Sequence, residues 1–111
     1  MSYCSRAYLR KMAKSEDWRD RQRIAENLYT PVDTLIELSK DGNKEVRFGV
    51  ALNPRTPVEA LANLAEDTNS YIREVVAMHQ NSSDEILIRL SNDVCGIIRE
   101  KASDELERRN K

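Results

Sequence analysis

Residues 30–55 read TPVDTLIELSKDGNKEVRFGVALNPR, and residues 56–81 read TPVEALANLAEDTNSYIREVVAMHQN. Laid one above the other without a gap, they place Thr30-Pro31-Val32 on Thr56-Pro57-Val58, Leu35 on Leu61, Leu38 on Leu64 and Asp41 on Asp67. Asn43 then falls on Asn69, Arg47 on Arg73, and Val50-Ala51 on Val76-Ala77. Ten of 26 positions are identical, where ordinary amino-acid usage would give about one or two. Self-similarity at a fixed period is the signature of a repeat architecture.

The same shift carries the pattern outward in both directions. Residues 82–107 keep Ser82, Leu87, Leu90, Asp93, Ile98, Arg99 and Ala102 in register. Residues 4–29 hold a degenerate copy with Leu9, Met12, Arg21, Ile24, Ala25 and Asn27 in place. Terminal copies are expected to diverge because one of their faces meets water. The reading is a single all-α domain over residues 1–111, with repeats at about 4–29, 30–55, 56–81 and 82–107 and a short tail at 108–111.

Each copy reads as two short helices. Thr30-Pro31-Val32-Asp33 and Thr56-Pro57-Val58-Glu59 place an N-cap hydroxyl before a proline, with an acid three residues on; Ser82-Ser83-Asp84-Glu85 repeats the box without the proline. Leu35, Leu38, Leu61, Leu64, Leu87 and Leu90 supply the apolar stripe. Breaks are expected at Asp41-Gly42-Asn43, Asp67-Thr68-Asn69 and Asp93-Val94-Cys95-Gly96. Second helices follow, with Val46 and Val50, Ile72 and Val76, and Ile98 and Ala102 at i, i+4 spacing.

The stretch Val46 to Pro57, Val-Arg-x-x-Val-Ala-x-Asn-Pro-x-Thr-Pro, resembles the leucine-rich repeat variant group within the HEAT/armadillo-like α-solenoids. The resemblance implies a right-handed superhelix whose second helices line a concave surface used mostly for protein partners, with nucleic acid bound by a minority. The spacing Asp41/Arg47, Asp67/Arg73, Asp93/Arg99 resembles the stacked Asp–Arg ladder of HEAT repeats, so these six are expected to form a structural ladder. Ser15 stands where the first copy would need its Asp, which leaves Arg21 without its expected partner. Some variant-repeat proteins carry a Cys-rich iron–sulfur module; Cys4 alone does not support one here.

Composition narrows the functional classes. Lys+Arg 18 against Asp+Glu 19 leaves a net charge of -1, which argues against coating nucleic acid or anionic membrane by overall charge. No apolar run approaches the roughly 20 residues that span a bilayer, and the first residues lack a signal-peptide apolar core. Cys4 and Cys95, far apart and outside any Cys-x-x-Cys spacing, read as reduced thiols in a cytoplasmic protein without a metal site or cofactor. His79, the single histidine, sits in the column of Asn27 and Asn53 at a helix end, where capping is natural. Cys95 sits in the column of Asn43 and Asn69 and reads as an idle thiol. Glu66, Asp67, Asp84, Glu85 and Asp93 fall on repeat-defined caps and turns, so no catalytic residue is assigned.

What varies within the frame marks the candidate surface. Three columns of the second helices read Arg19/Glu45/Tyr71/Ile97, Gln22/Phe48/Glu74/Glu100 and Glu26/Leu52/Met78/Asp104. Phe48, Tyr71, Glu74 and Met78 are expected to face a protein partner, with Arg19 and Arg23 as a basic shoulder; the competing reading packs Phe48 and Tyr71 between repeats. Residues 1–29 carry Arg6, Arg10, Lys11, Lys14, Arg19, Arg21 and Arg23 against four acids, and add Tyr3, Tyr8, Trp18 and Tyr29. Such a mixture binds nucleic acid or an acidic protein in some proteins and closes an end of the core in others. The function expected is a non-enzymatic protein-interaction module, adaptor, scaffold or small inhibitor. Its alternative is a nucleic-acid-binding solenoid that uses the basic first repeat, with an accessory domain of a separate enzyme as a third, weaker reading.

Overall fold

The period of the sequence returns as a period of helices. A computed structural model describes residues 5–111, so Tyr3 and Cys4 lie outside the description. Among the described residues the chain is all-helical, with α1 (Arg6–Met12), α2 (Trp18–Glu26), α3 (Val32–Leu38), α4 (Lys44–Leu52), α5 (Val58–Leu64), α6 (Ser70–Met78), α7 (Asp84–Leu90) and α8 (Gly96–Arg109). The starts of α2, α4, α6 and α8 are each 26 residues apart, as are those of α1, α3, α5 and α7. Helices of seven or nine residues are marginal alone in water, so their stability comes from neighbours. The second helices stack on one another, α2 on α4, α4 on α6 and α6 on α8, while each first helix packs on the second helix of its own pair. The result is an elongated body of 46 × 27 × 15 Å.

The core lies between the two layers and is one continuous cluster. Leu9, Leu35, Leu61 and Leu87 come from the first helices, and Val46, Val50, Ile72, Val76 and Ile98 from the second; all are buried. The expected apolar stripes are therefore the core stripes. Gly49 marks a close approach of α4 to α2. A Cβ there would stand 3.1 Å from the Ala25 Cβ and 3.2 Å from the Glu26 Cγ, so its absence lets α4 lie against α2.

Two local expectations are corrected. Thr30 and Thr56 do not cap the helices that follow them. Their hydroxyls donate backwards, to the Ile24 and Val50 carbonyls at 2.6 Å, and Ser82 does the same to Val76 at 2.7 Å. The chain leaves α2, α4 and α6 in extended conformation at Asn27, Asn53 and His79, which turns the hydroxyl back towards a carbonyl in the last turn of the preceding helix, where it joins the N–H of the cap residue. Pro31 and Pro57 occupy the cap positions of α3 and α5 without a side-chain bond, whereas α1 and α7 are capped by the hydroxyls of Ser5 and Ser83. The second correction concerns the end of the chain. α8 continues through Arg109, so the stretch expected as a tail is partly helical.

Candidate interaction surface

Much of the polar surface is committed to holding neighbouring pairs together. Arg21 Nε and Nη2 bond the two carboxylate oxygens of Asp41 at 2.8 and 3.2 Å. Arg47 grips Asp67 in the same way at 2.7 and 3.3 Å, and Arg73 grips Asp93 at 2.8 and 3.1 Å. Two parallel bonds to a carboxylate are the strong, geometrically specific form of the ion pair. The third guanidinium nitrogen donates to the backbone carbonyl six residues earlier, from Arg21 to Ser15, Arg47 to Asp41 and Arg73 to Asp67, each at 2.8 Å.

This ladder corrects the expected pairing. Asp41 pairs with Arg21 instead of Arg47, Asp67 with Arg47 instead of Arg73, and Asp93 with Arg73 instead of Arg99. The cause is local. Each Asp accepts the N–H two residues on (Asn43, Asn69 or Cys95, all 2.9 Å), a turn that aims its carboxylate at the preceding pair. Arg21 is thus a full rung. Arg99 is the arginine left with carbonyls alone, those of Asp93 and Val94.

The bonds show in the acidities. Burial alone would push the Asp41 carboxyl up, but the Arg21 guanidinium, the Asn43 N–H and the charges of Arg21 and Arg47 together hold it below the usual carboxylate value. For Asp93 the Arg73 hydrogen bond dominates and outweighs burial, with the Cys95 N–H in support. The Arg73 guanidinium is held correspondingly more firmly protonated by Asp93.

Two further ladders were missed in the sequence. Buried Asn53 donates its amide to the Ala25 and Asn27 carbonyls at 2.9 and 3.0 Å, bridging back one repeat length. One repeat later His79 takes over. Its Nδ1 accepts the Asn81 N–H at 3.0 Å, which leaves the proton on Nε2 to donate to the Asn53 carbonyl at 2.9 Å. Both residues are the helix C-caps expected of them, and both also reach the previous pair. Alongside run Arg55, donating to the Leu28 and Thr30 carbonyls, and Asn81, donating to those of Pro54 and Thr56. At the last junction Arg109 fills this place from the end of α8, with bonds to the carbonyls of Ser82 and Gln80.

With the frame assigned, the exposed face of the second helices can be read residue by residue. Tyr71 is 71% exposed and Met78 58%. Phe48 is half-buried and packs against the core, yet it lines a groove of about 240 Å³ between α4 and α6 together with Tyr71, Lys44 and Glu45. The two aromatics therefore line one groove, one leaning into the core and one in solvent. Met78 lines a neighbouring groove of about 310 Å³ with Leu52, Pro54 and Val75. Glu74 is half-buried beside Lys101 of α8, 3.7 Å away. Arg19 lies over the Trp18 ring at 5.4 Å, a cation–π contact. Arg23 belongs to a different groove, with Tyr8 and Met12 at the α1–α2 end. Leu52 and Ile97, both more than half exposed, extend the apolar surface and stand in the same columns as Met78 and Tyr71.

Stacked helix pairs with a constant offset, tied by side chains that reach from one pair to the next, define a helical repeat protein. The sequence model of the leucine rich repeat variant family matches residues 45–68, from the start of α4 through α5 to the following turn. The match falls on the stretch that carries the resemblance and bears it out there. No curated protein matches the chain, and no solved structure matches it. Among the described residues no helix is long and apolar enough to cross a membrane, and no cluster of three or more His, Cys, Asp or Glu side chains is arranged to hold a metal.

Proposed function

We propose that the chain is a right-handed solenoid of four 26-residue repeats that acts as a non-enzymatic protein-interaction module, an adaptor, scaffold or small inhibitor. Its partner sits on the exposed face of the second helices. The observation that carries this is the run of exposed apolar side chains on one layer, Leu52, Tyr71, Met78 and Ile97, at positions the repeat frame leaves free. Contiguous exposed apolar surface marks interaction sites, and aromatic side chains are frequent interface anchors. Phe48 shares a groove with Tyr71, and Glu74 supplies a polar margin on the same helix. The basic shoulder of Arg19 and Arg23 lies on α2, two helices away from α6.

A non-catalytic role is supported by how the reactive groups are spent. Both ring nitrogens of His79 are held by backbone groups, and Asp41, Asp67 and Asp93 are locked by arginines. The nucleic-acid alternative loses ground for the same reason, since Arg21 grips Asp41 and Arg19 covers Trp18. The widely spaced cysteines keep the cytoplasm as the proposed compartment. The test is recovery of partners on the tagged chain, with and without nuclease, compared for wild type, Tyr71→Ala with Met78→Ala, and Arg19→Glu with Arg23→Glu. The proposal expects a nuclease-resistant protein lost in the Tyr71/Met78 variant while the melting temperature holds. Recovery that vanishes with nuclease or with rising salt would favour nucleic acid instead.

A further inference from the structure

A groove of about 670 Å³ opens where α1 meets the α2–α3 and α4–α5 connections, away from the face discussed above. Three arginines line it: Arg6 and Arg10, one turn apart on α1, and Arg55. Its apolar wall is Leu28, Tyr29 and Val32, each about half exposed or more. Arg55 is fixed at the rim by the bonds of its Nη1 to the Leu28 and Thr30 carbonyls, which leave Nε and Nη2 for another acceptor. Arg10 makes only a long, exposed pair with Asp33, at 3.3 Å, and no acceptor is recorded for the Arg6 side chain among the described residues.

The cluster is not a product of the repeat. One repeat further on, the positions of Arg6, Arg10 and Arg55 hold Val32, Ile36 and Asn81. The frame therefore asks for neither Arg6 nor Arg10, and at Arg55 it asks only for a donor to the previous pair, which Asn81 supplies one repeat on without a charge. We propose that this groove binds an acidic peptide segment of a protein partner, with its carboxylates held by Arg6, Arg10 and Arg55 and its apolar side chains laid against Leu28, Tyr29 and Val32. Guanidinium groups suit carboxylates because they offer parallel donors in a fixed plane. A peptide fits better than a nucleic-acid strand because the edge beyond the groove turns acidic. Asp33 lies within the groove against Arg10, while Glu59 and Glu85, in the first turns of α5 and α7, are exposed beyond it, and a run of phosphates needs a basic path to follow.

The proposal is independent of the second-helix face and can be tested on the full chain with defined probes. Fluorescence anisotropy would compare a labelled peptide of mixed Glu and Leu, its counterpart with Gln for Glu, and a short oligothymidylate. The expected result is binding of the Glu peptide, weakened about tenfold or more by Arg6→Glu or by the Gln replacement, as the loss of a charge-assisted bond implies. Tyr29→Ala should weaken it too. Lys14→Glu, the same charge change outside the groove, and Tyr71→Ala should leave it intact. Arg6→Glu touches no recorded contact, so its melting temperature should match wild type. The proposal is overturned if the Glu peptide does not bind, if the Gln peptide binds equally, if Lys14→Glu weakens binding as much as Arg6→Glu, or if the oligothymidylate binds more tightly.

Discussion

The junctions in the middle of the array and the last helix are built to different rules. Between α4 and α6 every element of the frame is present: Asn69 caps α6 through its side chain, Arg47 holds Asp67, His79 reaches Asn53, and Asn81 reaches Pro54 and Thr56. At α8 the cap is Cys95 and makes no side-chain bond, Arg99 has no carboxylate, and the helix runs on through Glu105, the position where Asn53 and His79 end theirs. Arg109 then supplies from a helix the donor that a loop residue supplies elsewhere, with Glu105 and Asp84 around its guanidinium. The contrast shows that the polar frame belongs to the contacts between one pair and the next.

The largest difference should appear when a rung is cut. Arg73→Ala strands the buried Asp93 carboxylate and should lower unfolding free energy by about 3 kcal/mol in urea titrations. Arg99→Ala removes bonds to exposed carbonyls only and should cost less than about 1 kcal/mol. Equal losses would erase the distinction between middle and end. A step smaller is Asn53→Ala, which takes the side-chain donor from the buried Ala25 carbonyl and leaves the Asn27 carbonyl with the Thr30 N–H alone; it should cost about 2 kcal/mol, whereas Glu105→Ala in the same column should stay below that value.

Acid provides a third comparison. The Asp41 and Asp93 carboxyls are depressed when folded, so the unfolded chain binds protons more readily. Their contribution is complete above the ordinary aspartate value of about 3.9 and is lost as pH falls through the lower folded values. Stability should therefore decline below about pH 4, and the slope should be shallower in an Arg73→Ala/Asp93→Asn variant. An unchanged slope would remove Asp93 from the account. The smallest effect is a gain. Cys95→Asn should restore the cap that Asn43 and Asn69 provide and raise stability by about 1 kcal/mol, while Asn69→Cys should lose a similar amount. A melting temperature unmoved by Cys95→Asn would mean that α8 does not depend on its cap.

The parts legible in the sequence were those that the period itself specifies. The Leu columns, the helix breaks and the C-cap positions repeat every 26 residues, and burial followed them. The ladder partners were not legible, for a geometric reason. An Asp six residues before an Arg and an Asp 20 residues after it are the same column of a 26-residue repeat, so periodicity cannot distinguish them. Only the ends break the tie. Arg21 has Ser15 behind it and pairs with Asp41 ahead; Arg99 has Asp93 behind it and bonds only that residue's backbone carbonyl, leaving its carboxylate to Arg73. The surface was legible as columns but not as depth: Phe48 and Tyr71 come from different columns, and packing against the core separates the half-buried ring from the exposed one. Arg6 was legible only as one of the basic residues of the first repeat, and its meeting with Arg55 was not, because the two are far apart in sequence and share no column.

The central claim is that the acid–base frame ties one helix pair to the next, and a pair of double-mutant cycles measures it directly. Alanine would replace Arg73 and Asp93 singly and together, then Arg73 and Asp67 singly and together, with unfolding free energies taken from urea titrations. The account predicts a coupling above about 1 kcal/mol for Arg73 with Asp93 and near zero for Arg73 with Asp67, whose side chain belongs to Arg47. Strong coupling to Asp67 with none to Asp93 would contradict it and return the ladder to the interior of each repeat.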